Sequence, residues 1–216
     1  LQVEAACFSV DGKQLYIANA GSHQIFALDF DKKWLAPFAG DGYERLQDGH
    51  RAKASFNQPS GLAIMNGSLY IADSEISGVR RVSLGNGKVT TIVGTGLFDF
   101  GDVDGVGDAA RLQHVLHVVA HEGKLYVADA YNHKIKMLDP VTREVTTLAG
   151  TGVAGHVDGP ATTAQFFEPG GLSVAGDTLY IAETINHAIR VIDLAARHVR
   201  TLTITGLTPP ATWSYL

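Results

Sequence analysis

The chain has a single cysteine, Cys7, among 216 residues. One thiol cannot build an internal disulfide framework, and it does not fix the compartment. No apolar run approaches the ~18 residues that a membrane-spanning helix needs. No basic start followed by an apolar stretch marks a secretory leader. The first residue is Leu, so the natural N-terminus is expected to lie upstream. Charge is sparse: 18% of residues are charged, the net is −5, and Lys and Arg form no block. That argues against a surface built for phosphate backbones. The expectation is a soluble chain, cytoplasmic by default, with no nucleic-acid or membrane partner. No serine stands in a nucleophile-elbow sequence, so a serine hydrolase has no support. What is abundant is glycine, 24 residues, and apolar side chains, 45% of the total. The chain has the material for one globular domain with a sizeable core.

That material is repetitive. Leu15-Tyr-Ile-Ala18, Leu69-Tyr-Ile-Ala72, Leu125-Tyr-Val-Ala128 and Leu179-Tyr-Ile-Ala182 lie 54, 56 and 54 residues apart. After each comes a polar turn and an alternating run, as in Gln24 to Asp29, Gly78 to Leu84, Lys134 to Asp139 and Ala188 to Asp193. A Thr/Val-rich run follows in Val89 to Val93, Val145 to Ala149 and Val199 to Thr203. Alternation of period two in β-branched residues describes strands buried on one face. Apolar runs such as Gly61 to Met65 add a strand before each tetrapeptide, and Asp11-Gly12, Asn66-Gly67, Glu122-Gly123 and Gly176-Asp177 supply tight turns. Each unit is therefore a four-stranded antiparallel meander. One such sheet cannot bury both faces, but sheets stacked around an axis can. The fold class is all-β: a β-propeller of four-stranded blades, at about 1–40, 58–94, 113–150 and 168–204, with a C-terminal tail at 205–216.

Long connectors join the blades. They carry Asp48-Gly49, Asp104-Gly105 and Asp158-Gly159, each followed by an apolar residue, Phe56, Leu112 or Phe166, that is expected to tuck between blades. The aspartates are expected to bond their own turn backbone. One connector contains Gly150-Thr-Gly152-Val-Ala-Gly155, a literal G-x-G-x-x-G. The dinucleotide-binding form of that motif needs a following helix in a βαβ unit. Nothing helical follows, and the sister stretches at Gly40/Gly42 and Gly94/Gly96 lack the third glycine, so the motif is read as a blade exit.

The units also carry Asn132-His133-Lys134 and Asn186-His187-Ala188 after Ala128-Asp129 and Ala182-Glu183. This resembles the NHL repeat, named for Asn-His-Leu, which builds propellers that are commonly six-bladed. The first two units read Gly21-Ser-His-Gln24 and Glu75-Ile-Ser-Gly78, so the tripeptide is degenerate. The Asp-Gly connectors and the Leu202 to Pro210 segment resemble NHL propellers fused to a thioredoxin-like domain. Four blades with three connectors imply the last four blades of a larger propeller, with a closed four-bladed ring as the alternative. An open arc would expose apolar blade faces and favour self-association.

Superposing the repeats picks out candidate sites. Near the channel the equivalents are taken as Cys7, Gly61, His117 and Gly171. Three residues earlier they are Glu4, Gln58, His114 and Glu168. Two carboxylates and an imidazole facing an axis could hold calcium or zinc, with His117 or Cys7 as further ligands. The bland alternative is a hydrated polar channel with no ion, and no cofactor is then expected. His23, His133 and His187 share a position with Ser77, and recurrence in nearly every blade marks a structural turn element. Asp73, Asp129 and Glu183, with Asn19 in the first unit, are read the same way, as are Asp48, Asp104 and Asp158. His50, His156 and Asp99-Phe-Gly-Asp102 fall in variable connector stretches. Trp34, Trp213 and Tyr215 are single aromatics best explained by packing. The functional expectation is a non-catalytic platform for a protein or peptide partner. The rival is a metal-dependent hydrolase or lyase acting through Glu4, His114 and Glu168.

Overall fold

The computed structural model describes residues 2–206, so Trp213, Tyr215 and most of the 205–216 tail lie outside the described residues. Four antiparallel blades follow one another. The first is β1 (Val3–Phe8), β2 (Gln14–Asn19), β3 (Gln24–Asp29) and β4 (Trp34–Ala39). A connector holding the short β5 (Gly49–His50) leads to β6 (Pro59–Met65), β7 (Ser68–Asp73), β8 (Gly78–Ser83) and β9 (Lys88–Val93). The second connector holds β10 (Gly105–Val106), and the third blade is β11 (Val115–His121), β12 (Lys124–Asp129), β13 (Lys134–Leu138) and β14 (Glu144–Ala149). The third connector holds β15 (Gly159–Pro160), and the last blade is β16 (Pro169–Ala175), β17 (Thr178–Glu183), β18 (Ala188–Asp193) and β19 (His198–Thr201). Each blade is a simple meander, ordered as in the chain. Each connector strand adds a fifth strand to the outer edge of the blade it enters: β5 on β9, β10 on β14, β15 on β19.

The repeated tetrapeptide is the centre of each blade and is sealed in blades two and three, whereas Leu15, Ile17 and Tyr180 in the end blades are half-buried and Ala182 is exposed. Leu69, Ile71, Leu125, Val127, Leu179 and Ile181 have no exposure. The inner strands β1, β6, β11 and β16 pack side by side in that order. They approach so closely that a Cβ on Gly61 would stand 2.6 Å from the His117 Cα, so only glycine fits there. At the blade exit Gly150 has φ +105°, and a Cβ would meet the His133 carbonyl at 2.6 Å. Backbone geometry thus explains the first glycine of the G-x-G-x-x-G, and residues 151–158 run on as connector with no helix.

Three apolar clusters fill the three junctions, between blades one and two, two and three, and three and four. Phe56, Leu112 and Phe166 plug them and are fully buried or nearly so. Burial of a Phe or Leu contributes about 1.5–3 kcal/mol each. Among the described residues, nothing covers the outer faces of the first and last blades. On blade four, Leu172, Tyr180 and Ile189 line an open cavity of about 290 Å³. On blade one, Val3, Phe8, Trp34 and Leu35 are exposed.

Candidate functional site

The register of the inner strands decides which residues are equivalent. Val3, Pro59, Val115 and Pro169 stand opposite Asn19, Asp73, Asp129 and Glu183. A bulge follows, after which Ala5, Gly61 and His117 stand opposite Ala18, Ala72 and Ala128. The partner of Gly61 and His117 in blade one is therefore Ala5. Cys7 pairs with Tyr16, two residues further along, where the sister blades have Ala63 and Val119. The same correction moves the first member of the other set: Gln2, not Glu4, precedes the inner strand as Gln58, His114 and Glu168 do. The reason is the turn after β1: Phe8 pairs with Leu15, whereas Ile64, Ala120 and Val174 pair with Leu69, Leu125 and Leu179, so the first blade's turn is two residues longer.

Gln58, His114 and Glu168 are all left-handed, with φ of 61°, 55° and 50°. So are His23, Ser77, His133 and His187, at 50–54°. The two sets meet. The backbone N–H of Gln58 donates to Nδ1 of His23 (3.3 Å), that of His114 to Oγ of Ser77 (3.0 Å), and that of Glu168 to Nδ1 of His133 (3.1 Å). Each blade's cap thus accepts a hydrogen bond from the entry of the next, and the second blade does it with a hydroxyl. His117 works at the same junctions: its Nδ1 accepts from the Leu172 N–H at 3.4 Å, and burial pushes its pKa down. Burial likewise pushes the Cys7 thiol up to about 12, which leaves no thiolate at neutral pH. Among the described residues, no three of Glu4, Cys7, His114, His117 and Glu168 bring their ligand atoms within 4.8 Å of one another. The channel candidates do not converge on an ion.

The acids are organised around buried cations that the sequence reading passed over. Arg80, Lys136 and Arg190, at matched positions of β8, β13 and β18, have no exposure. Arg80 forks between Asp73 (3.2 Å) and Asp48 (2.9 Å). Arg190 forks between Glu183 (3.0 Å) and Asp158 (2.8 Å). Lys136 reaches Asp102 (2.6 Å) and Asp104 (2.9 Å) of its connector. The connector aspartates also bind a threonine of the outer strand: Asp48 accepts the Thr91 N–H at 2.9 Å and its hydroxyl at 2.8 Å, and Asp104 and Asp158 hold Thr147 and Thr201 likewise. Asp48, Asp104 and Asp158 therefore clamp the connector to the blade edge rather than bonding their own turns. One signal could have found the cations: positions 80, 136 and 190 are 56 and 54 residues apart, the repeat spacing itself.

Burial raises Asp73 to about 6 against the pull of Arg80, and Asp129 to about 7. The difference follows from the cation. An arginine fork spans both acids, whereas the compact lysine ammonium stays with the connector and leaves Asp129 to Asn132, which donates at 2.8 Å. These groups are structural and point into the blades.

One surface cavity differs from its repeats. Leu97, Phe98 and Phe100 of the second connector, with Ser74, Glu75, Gln113, His114 and Tyr131, enclose about 250 Å³ at the junction of blades two and three. Phe98 is 91% exposed. His114 stacks on Tyr131 at 4.3 Å, and its Nδ1 lies 3.9 Å from a Glu75 oxygen. The sister connectors place Tyr43-Glu44 and Val153-Ala154 in comparable stretches.

No protein-family model matches the chain. It is 43% identical to Protein SUPPRESSOR OF QUENCHING 1, chloroplastic, of Arabidopsis thaliana over 218 residues, 94% of this chain and 21% of that protein. It is 46% identical to human NHL repeat-containing protein 2 over 219 residues, 89% of this chain and 30% of that one. The chain thus spans less than a third of the length of either relative. A Bacteroides thetaiotaomicron structural-genomics protein of unknown function superposes with a TM-score of 0.67 at 16% identity, over 91% of this chain and 46% of its own. The four in-phase blades, their recurring Asn-His caps and these two relatives identify the chain as an NHL-repeat β-propeller.

Proposed function

We propose that this module is a non-catalytic platform that holds a protein or peptide partner on the connector face at the junction of blades two and three. The observation that carries this reading is the cavity rimmed by Phe98 and Phe100. Two neighbouring aromatics held in water by a rigid scaffold cost solvation without packing gain, which is the usual mark of a contact surface. Glu75 beside the stacked His114 and Tyr131 favours an apolar segment with a basic residue, since a guanidinium or ammonium can sit on the rings and meet the carboxylate. Net charge −5 points the same way. Loops that recognise partners vary between repeats, and this connector does.

The rival reading, a hydrolase or lyase with a channel ion, needs Glu4, His114 and Glu168 to share that ion, and no feature of their geometry favours it. The bare faces of blades one and four are read as joining surfaces, for further blades or a second copy. A strict monomer by light scattering at high concentration counts against joining to a second copy. Among the described residues no helix is long and apolar enough to cross a membrane.

The test compares the protein with a Phe98→Ser/Phe100→Ser variant in affinity enrichment. A partner retained by the first and lost by the second, at equal thermal stability, supports the platform. Equal capture, or none with either bait, overturns it.

A further inference from the structure

We infer a zinc-type metal site, remote from the channel, that bridges the tight turns of blades three and four through His121, Glu122 and Asp177. The imidazole and the two carboxylates bring one ligand atom each within 4.8 Å of one another. His121 ends β11 and Glu122 begins the turn to β12, while Asp177 sits in the turn between β16 and β17. The inner strands β11 and β16 are neighbours, so the two turns meet across the blade junction.

Three observations point to a ligand. First, Nε2 of His121 is sealed from water and has no hydrogen-bond partner. An unpaired buried polar atom costs about 1–3 kcal/mol. Second, a carboxylate oxygen of Asp177 is 3.8 Å away. That is too long for a hydrogen bond. It approaches the spacing of two ligands on one ion, since Zn–N and Zn–O bonds of about 2.0–2.2 Å place tetrahedral ligands roughly 3.3 Å apart. Third, the histidine breaks the repeat. In the same register the sister strands end in Met65 and Ala175. Met65 packs against the core there. Blade three alone puts an imidazole at this place.

The surroundings suit a cation. Glu122 and Asp177 have no Lys or Arg within ion-pair distance among the described residues, and the neighbouring Lys124 is held by Asp139 at 2.5 Å. One nitrogen and two carboxylate donors favour zinc over calcium, which takes oxygen alone. Three protein ligands leave the fourth position to water. Bound metal would tie the two turns together and stabilise the folded arc in proportion to its affinity.

The experiment is equilibrium dialysis of the chelator-stripped protein against zinc chloride, with cobalt chloride as a spectroscopic probe. His121→Met is the key variant, because it installs the residue that blade two uses at this position and keeps the fold. The wild type is expected to take up one zinc more per chain than His121→Met, to show the visible absorbance of four-coordinate cobalt, and to melt at higher temperature with zinc. His121→Met should lose all three. Asp177→Asn should weaken binding by more than the roughly 10–100-fold that loss of a merely supporting group costs. Uptake unchanged in His121→Met overturns the site. So does uptake that survives in His121→Met and vanishes in a His114→Ala/Glu168→Gln variant, which would return the ion to the channel.

Discussion

Blade one and blades two to four differ at three matched positions. Blades two, three and four each bury an acid at the end of the second strand and a cation in the third, and set a half-buried threonine in the fourth: Asp73, Arg80 and Thr91 in blade two. Blade one has Asn19, Phe26 and Pro37 in the same register. Among the described residues no connector strand pairs with its outer strand β4. In blades two to four the acid, the cation and the threonine occur together with a connector aspartate, and blade one lacks all three side chains. The difference teaches that the connector clamp is one unit. A buried cation is tolerable only if acids meet it, and each of Arg80, Lys136 and Arg190 takes at least one of its acids from a connector.

The sharpest way to break the comparison is to make blade two resemble blade one in part. Arg80→Met leaves Asp73 and Asp48 without their cation, and should cost about 3–5 kcal/mol in urea unfolding. Removing Asp73 as well, as Asp73→Asn/Arg80→Met, should recover much of that loss. If the double variant is no better than the single, the clamp is not a unit. Running the change in the opposite direction, Asn19→Asp puts a buried acid into blade one with no cation to meet it, and should cost about 1–3 kcal/mol. An unchanged midpoint would show that blade one has an unrecognised partner for the charge.

A smaller effect separates blade three from blade two. Asp129 is raised to about 7 from an ordinary 3.8, chiefly by burial. Between those values the folded state keeps a proton that the unfolded state has lost, so this group's contribution to stability falls as pH rises through that window. Asp129→Asn should flatten the decline between about pH 4 and 7, read as the difference between the two unfolding curves. A parallel pair of curves would place the ionised carboxylate in a better site than the geometry shows. Smallest is Thr147→Val, which deletes a hydroxyl shared by Asp104 and Lys136 and should cost about 1 kcal/mol.

The fold was legible because its signals are local and repeat. Period-two alternation, Gly turns and the Leu-Tyr-Ile/Val-Ala core recur in phase, so four weak signals add. The apolar connector residue was legible for the same reason, and Phe56, Leu112 and Phe166 lie where the pattern put them. The site was far less so. Glu4 and Cys7 were placed two residues out of register because the turn after β1 is two residues longer than its sisters, which counting back from the tetrapeptide cannot show. The cations were overlooked because a charged residue in an alternating strand reads as an outward face, whereas Arg80 and Arg190 are sealed under Phe56 and Phe166, with guanidinium carbons 5.2 and 5.1 Å from the ring centres. The channel set was assembled by analogy between positions, and only coordinates tell whether side chains at matched positions converge.

The joint between blades runs one way. A left-handed cap offers a lone pair, and the entry of the following blade brings the N–H, at His23 to Gln58, Ser77 to His114 and His133 to Glu168. His187 takes the same backbone shape at the bare end of blade four. The polarity of the peptide chain thus reappears one level up. The arc has a donating side and an accepting side, like a monomer of a directional polymer. A partner that continued the pattern at His187 would bring an amide, and two arcs placed face to face in the same sense at that end would meet acceptor against acceptor.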